Sequence, residues 1–266
     1  MMRKLNHLPL LRPDRTIGLL AAGVAVACLA GCSHRQQTAY TPPPPPLEST
    51  SPESTAPASS APATRPEYPA SPAMAEDDEF VATHSPIFTE TGIASWYGPP
   101  YNNRAGANGR IYNENDISAA HRTLPMGSLI RVTNLRTGQS AVMRITDRGP
   151  FVAGRILDLS VGAAKAVGLW RAGVGEVRID VYSTPEPLDS GGRWCVQIGA
   201  FSHLGAARHL QTQLEREYNT ANVIEFEGPT GYWVRIRPEG DNRTVAVAIA
   251  RSLRPSEGEA WLVRLD

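Results

Sequence analysis

Alternation of apolar and polar positions with period two dominates the middle of the 266-residue chain. Leu129-Ile130-Arg131-Val132-Thr133-Asn134 reads as a strand, Arg136-Thr137-Gly138-Gln139 as a turn, and Ser140 to Asp147 as the returning strand. Val177, Ile179 and Val181 alternate with Glu176, Arg178 and Asp180 in a last strand. The one helix signal here is Ser160, placed as an N-cap ahead of Val161 to Val167 and stopped near Gly168. Many short strands and a single short helix across residues 91–182 predict a small closed all-β barrel.

Beyond a linker at residues 183–190, which holds Thr184-Pro185-Glu186-Pro187, the period changes. Residues 191–266 read strand, helix, strand, strand, helix, strand: Trp194 to Gly199, about His203 to Tyr218, Asn222 to Phe226, Tyr232 to Arg237, about Arg243 to Leu253, and Ala260 to Leu265. Ala207, Leu210, Leu214 and Tyr218 give the first helix one apolar stripe. The order is that of an α+β ferredoxin-like domain. Parity assigns Val196, Ile198, Val234, Ile236, Trp261 and Val263 to the helix side, leaving Gln197, Trp233, Arg235 and Arg237 on the open side of the sheet. Aromatic planes with amide and guanidinium donors suit stacking on and hydrogen bonding to sugars. The same fold type reads RNA in other proteins, but the module is neutral and the chain carries an export signal.

That signal occupies residues 1–31. Arg3, Lys4, Arg12 and Arg15 precede an apolar run, Ile17 to Ala30, which is shorter than the roughly 20 residues a membrane span needs but fits a secretory core. It ends in Leu29-Ala30-Gly31-Cys32, which resembles a bacterial lipobox and implies cleavage before Cys32 and lipidation of its thiol. Ser33 follows, so the outer membrane is the expected destination and its periplasmic face the expected location. Residues 32–90 hold 12 of the 23 prolines, five of them consecutive at Pro42 to Pro46, and predict a disordered tether that gives an anchored protein reach.

Charge and cysteines narrow the picture. The formal net charge is zero, which excludes a nucleic-acid protein of the ordinary basic kind. Only the stretch 91–182 is positive, with 11 basic and 6 acidic residues spread over strands and loops, a diffuse field suited to a polyanionic or carboxylate-bearing partner without identifying one. Cys28 leaves with the signal and Cys32 is committed to lipid, so Cys195 has no partner for an intrachain disulfide. The sequence contains neither a metal-ligand cluster nor a phosphate-cradling loop, so no metal and no cofactor are expected.

Asp147 is the main chemical candidate. Ala141, Met143, Ile145 and Asp147 share one strand face, so the carboxylate ends an apolar row, where partial desolvation favours its protonated form. Arg144 and Arg148 oppose this from the other face, and Gly149-Pro150 fixes the chain's exit. An Asp before Arg-Gly-Pro is also an ordinary turn former, and His121 in isolation is an ordinary structural histidine.

Context comes from a resemblance. Gly92-Ile93-Ala94-Ser95-Trp96-Tyr97-Gly98, Ala107-Asn108-Gly109, Ala119-Ala120-His121-Arg122-Thr123-Leu124-Pro125, Val132-Thr133-Asn134-Leu135, Asp147-Arg148-Gly149-Pro150-Phe151 and Gly154-Arg155-Ile156-Leu157-Asp158-Leu159-Ser160 together resemble the rare lipoprotein A (RlpA) family. The resemblance implies a six-stranded double-psi β-barrel acting as an endolytic lytic transglycosylase on peptidoglycan at the division septum. It implies Asp147 and His121 as catalytic residues and Tyr97, Asn108 and Arg148 at the substrate. Val196-Gln197-Ile198-Gly199-Ala200-Phe201 and Trp233-Val234-Arg235-Ile236 resemble the SPOR domain, which implies binding of peptide-stripped glycan strands through Gln197, Trp233 and Arg235. Divisome proteins are further expected partners. In one place the chain departs from the family pattern Asn-Gly-Glu-x-Tyr-Asp: it reads Asn108-Gly109-Arg110-Ile111-Tyr112-Asn113, with Glu114 one residue beyond. This keeps open a non-catalytic wall-binding scaffold, or an expansin-like loosening role without bond cleavage.

Overall fold

A computed structural model gives the protein's structure over residues 72–225, 231–255 and 258–266. The signal, Cys32 and the proline-rich part of the tether lie outside the described residues.

The predicted disorder does not extend to residue 90. Pro72–Thr83 form helix α1, whose start tolerates Pro72 because a first-turn N–H has no acceptor within the helix, and whose Ala, Met and Glu content favours helix. The Thr83 hydroxyl donates to the carbonyls of Glu79 and Phe80 at its last turn. The helix packs on the next domain: Val81 joins Leu129 and Tyr182 in a buried cluster, and Asp77 pairs with the Arg144 guanidinium. The acidic run Glu76 to Glu79 looks like a solvated tail by composition, and the apolar contact sits on a single turn. Val81→Ala is expected to lower stability by about 1–3 kcal/mol, read as a shift in denaturant midpoint at unchanged m-value.

The predicted barrel is present. Its strands are β1 (Phe88–Trp96), β2 (Ser118–His121), β3 (Leu129–Asn134), β4 (Ser140–Asp147), β5 (Arg155–Leu159) and β6 (Val174–Ser183), closed in the order β1-β5-β2-β4-β3-β6. β1 runs parallel to β5 and β2 parallel to β4, while the other neighbours are antiparallel. Ala94, Ile130, Val132, Ile145, Leu157, Leu159, Val177, Ile179 and Val181 point inward and fill the core. Helix α2 (Val161–Ala166) is capped by Ser160, whose hydroxyl accepts from the Ala163 N–H. At Gly162 the helix lies so close to the preceding loop that a Cβ would stand 2.3 Å from the Asn115 carbonyl oxygen, and the Gly162 N–H donates to the Glu114 carbonyl.

The C-terminal module contains β7 (Trp194–Phe201), α3 (Leu204–Leu214), β8 (Asn222–Glu225), β9 (Tyr232–Ile236), α4 (Arg243–Ser252) and β10 (Glu259–Arg264). Its sheet order is β10-β7-β9-β8, as the ferredoxin-like reading requires, with a core of its own around Trp194, Val196, Ile198, Val234 and Ile236. The structure turns one strand over relative to the face that parity predicts. Trp261 pairs with Gln197 and Val263 with Cys195, so these two large residues face away from the helices, while Ala260 and Leu262 pack on the helical side. Parity anchored on the bulkiest apolar residues fails when both sheet faces are covered.

Candidate active site

Strand pairing builds the site. Ser95 on β1 lies beside Asp158 on β5, Asp158 beside Ala120 on β2, and Ala120 beside Asp147 on β4. The last step passes through a register irregularity between Ala119 and Ala120. Ala94, Ala119, Leu157 and Leu159 take the core side, so this row faces away from the core. Two carboxylates thus flank one methyl group, with their Cα positions roughly 10 Å apart by strand spacing. Tyr97 and Tyr112, stacked with centroids 4.6 Å apart, pack against Ala120.

Asp147 is partly exposed, and its Oδ1 accepts from the backbone N–H groups of Ala107 (2.9 Å) and Arg148 (2.8 Å). Desolvation raises its pKa, and the neighbouring Asp158 adds to the rise. The two N–H donors and the Arg148 guanidinium oppose it without reversing it. Asp158 is also raised by burial, against Arg155, the Ser95 hydroxyl that donates to it, and Arg122. Its part was hidden in the sequence, where Leu157-Asp158-Leu159 reads as plain strand alternation. Only the pairing of β5 with β2 brings it into the row. Asp158→Asn removes a charge that resists ionisation of Asp147, so any activity limited by protonated Asp147 should lose its alkaline limb at lower pH, measured as a pH–rate profile.

His121 stands at the same end of the barrel as Asp147, but its ring is committed elsewhere. Nδ1 accepts from the N–H groups of Thr123 (3.2 Å) and Leu124 (3.0 Å), and Nε2 lies 3.2 Å from Glu90 Oε2. With Nδ1 an acceptor, Nε2 carries the proton and donates to Glu90. Burial lowers the His121 pKa, and the hydrogen bond from His121 lowers that of Glu90. Glu90, assigned to the tether by sequence, is therefore part of the barrel rim.

Other assignments divide. Asn108 follows Ala107, whose N–H donates to Asp147, and its own Oδ1 accepts from the Arg110 N–H. Tyr97 is only 8% exposed and forms a floor to the site, not a sugar platform. Arg148 is held by the protein itself: Nη1 donates to the carbonyls of His121 (3.0 Å) and Leu124 (2.7 Å), and Nη2 to the main-chain oxygen of Asp266 (2.6 Å). Burial pushes its pKa down to about 10. Arg110 and Asn113 are exposed, and Asn113 is occupied with Asp116. Glu114 lies in the same loop, its carbonyl oxygen tied to Gly162 and its N–H to Asn102.

Gln197, Trp233 and Arg235 share one sheet face as predicted, and Arg235 Nη2 donates to Gln197 Oε1 at 2.9 Å. They do not form an open surface. Gln197 and Trp233 are 1% and 2% exposed, and Trp233 meets Phe151 of the barrel at 4.8 Å between centroids. Sequence parity fixes which residues share a face but not what covers it.

Residues 89–179 match a family model described as lytic transglycolase, and residues 190–264 one described as SPOR domain. The chain therefore joins a double-psi barrel of the lytic-transglycolase type to a SPOR module. It is 37% identical over 150 residues to the endolytic peptidoglycan transglycosylase RlpA of Vibrio cholerae, a match covering 54% of this chain and 57% of that protein. With the RlpA of Pasteurella multocida it shares 50% identity over 137 residues, 52% of this chain and 42% of that protein. Over these stretches the chain is similar to proteins of the RlpA family. The chain spans 57% and 42% of the length of these two relatives. The apo structure of an expansin from Clavibacter michiganensis overlaps 55% of this chain and 78% of that chain at 18% identity, with a TM-score of 0.30.

Proposed function

We propose that the protein is an endolytic peptidoglycan transglycosylase that cleaves between N-acetylmuramic acid and N-acetylglucosamine in peptide-stripped glycan. The observation that carries this reading is the half-buried Asp147 carboxyl, shifted toward its protonated form and separated across the sheet from a second carboxylate, Asp158, by Ala120 alone. Protonated Asp147 donates its proton to the glycosidic oxygen as the C1–O bond breaks. The sugar's own C6 hydroxyl closes onto C1, and the Asp147 carboxylate takes the proton that hydroxyl releases. The acid is regenerated, no water is consumed, and the product is a 1,6-anhydro end. His121 acts through the turn it holds at residues 121–124 and is a positioning residue in this scheme.

Delivery follows the same reading: lipid attachment at Cys32, residence on the periplasmic face of the outer membrane, and enrichment at the septum through the SPOR module. Incubating the protein with peptide-free glycan strands and resolving the products by mass should show internal cleavage with 1,6-anhydro ends. Intact strands that remain bound would remove the enzymatic reading.

A second reading, a wall-binding scaffold, is favoured by one observation. Arg110 and Asn113 stand where the family pattern has acidic residues, and Asn113 is occupied in its own turn. That reading requires Asp147→Asn to leave the cell phenotype unchanged, while substitution of Gln197 or Arg235 abolishes septal localisation.

A further inference from the structure

The face of the SPOR sheet that carries Gln197, Trp233, Arg235 and Trp261 is occupied by the barrel of the same chain. The Arg122 guanidinium lies 4.8 Å from the centre of the Trp261 ring, while its Nη1 donates to the carbonyls of Pro150 (2.6 Å) and Arg155 (2.8 Å). Phe151 covers Trp233. Two main-chain hydrogen bonds cross between the modules, Met126 N–H to the Asp266 oxygen at 3.0 Å and Arg264 N–H to the Arg122 oxygen at 2.9 Å. Arg148, next in sequence to Asp147, adds a third through Nη2.

The covering is chemically poor where it matters. Among the described residues, Gln197 Nε2, Arg235 Nε, Trp261 Nε1 and Arg148 Nε are buried with no hydrogen-bond acceptor. All four are donors: three lie on this sheet face, and the fourth is on Arg148, which bonds across the contact. A buried donor without an acceptor is a standing penalty, and an interface with several of them is weaker than its area suggests. The barrel offers this face a guanidinium and a phenyl ring, neither of which accepts well. A polysaccharide offers the opposite: hydroxyl, ring, acetamido and carboxylate oxygens, with sugar faces that stack on indole.

From this mismatch we propose that the barrel rim, residues 122–126 and 148–151, is a self-occupant of the SPOR glycan face, so that docking of the two modules and capture of a glycan strand exclude each other. Bare glycan releases the barrel, and release frees Arg148 Nη2 beside Asp147. The chain is thus closed at both ends of its function until the polymer is found. This inference rests on the reading of the SPOR sheet as the glycan-binding face, and it concerns what holds that face when no glycan is there.

The test uses the full chain and peptide-free strands of alternating N-acetylglucosamine and N-acetylmuramic acid. Phe151→Ala removes a ring that covers Trp233 without touching the sheet, and should tighten glycan binding by about tenfold, the factor expected if the open form is about one molecule in ten. Amide exchange gives an independent reading. Saturating glycan should speed exchange at Met126 and Arg264, whose N–H groups cross the contact, while Ile145 N–H, bonded to Ser128 within the barrel, stays protected. If glycan binds but Met126 and Arg264 keep their protection and Phe151→Ala binds no better than the parent, docking and capture are compatible and the proposal is wrong. If neither parent nor Phe151→Ala retains glycan, the sugar-binding reading beneath it fails first.

Discussion

Asp147→Asn is expected to lower production of 1,6-anhydro ends by about 10²–10⁴-fold, the range for loss of a positioned acid–base group, while glycan binding is retained. The amide keeps an oxygen able to accept from Ala107 and Arg148, so the loop geometry survives and the loss reports proton transfer. The same substitution should raise thermal stability at neutral pH. The folded-state pKa of Asp147 is raised, so its contribution is most favourable below the unfolded value of about 3.9 and is lost as pH rises through the folded value. Asparagine does not ionise and escapes that loss, so the gain in melting temperature should vanish below about pH 4. Reduced turnover joined to increased stability is the signature of a strained functional group. A turn-forming Asp would show reduced stability instead.

His121→Ala should have a large effect of the other kind. The ring satisfies two backbone N–H groups and donates to Glu90, in a setting only 5% exposed. Removing it leaves buried groups unsatisfied, and a loss of about 2–4 kcal/mol is expected. His121→Asn places an oxygen near the Nδ1 position and should recover a substantial part, measured by chemical denaturation. Activity per folded molecule should fall much less than in Asp147→Asn. The pH dependence has a definite sign. Burial depresses the His121 pKa, so its contribution is complete above the unfolded value of about 6.5 and is lost as pH falls through and below it. Glu90, also depressed, adds a further loss below about pH 4.3. A catalytic histidine would reverse the pattern, with activity gone and stability intact.

Much of this was legible in the residues. The alternation in Ser140 to Asp147 gives the bounds of β4, Ser160 marks the start of α2, and the order of periods after residue 191 gives the C-terminal topology. What escaped depends on long-range pairing. Asp158 joins the site only because β5 lies beside β2, and Glu90 meets His121 only because β1 begins before the apolar pattern does. Parity sends Trp261 to the helices because it equates burial with the domain's own core, whereas the Arg122 guanidinium of the barrel lies over its ring. Helix α1 escaped because four acidic residues outweigh, in composition, the one turn that carries Phe80 and Val81. His121 shows a different limit: a residue type suited to catalysis sits beside the site, and only its hydrogen bonds reveal that its ring is spent on the backbone.

The most direct measurement is the titration of the Asp147 carboxyl carbon by NMR in the folded chain, with Asp147→Asn to assign the signal. The account predicts a midpoint clearly above that of an exposed aspartate, moving down in Asp158→Asn. A midpoint at or below the ordinary carboxylate value would mean that no proton is held there for the glycosidic oxygen, and would contradict the mechanism.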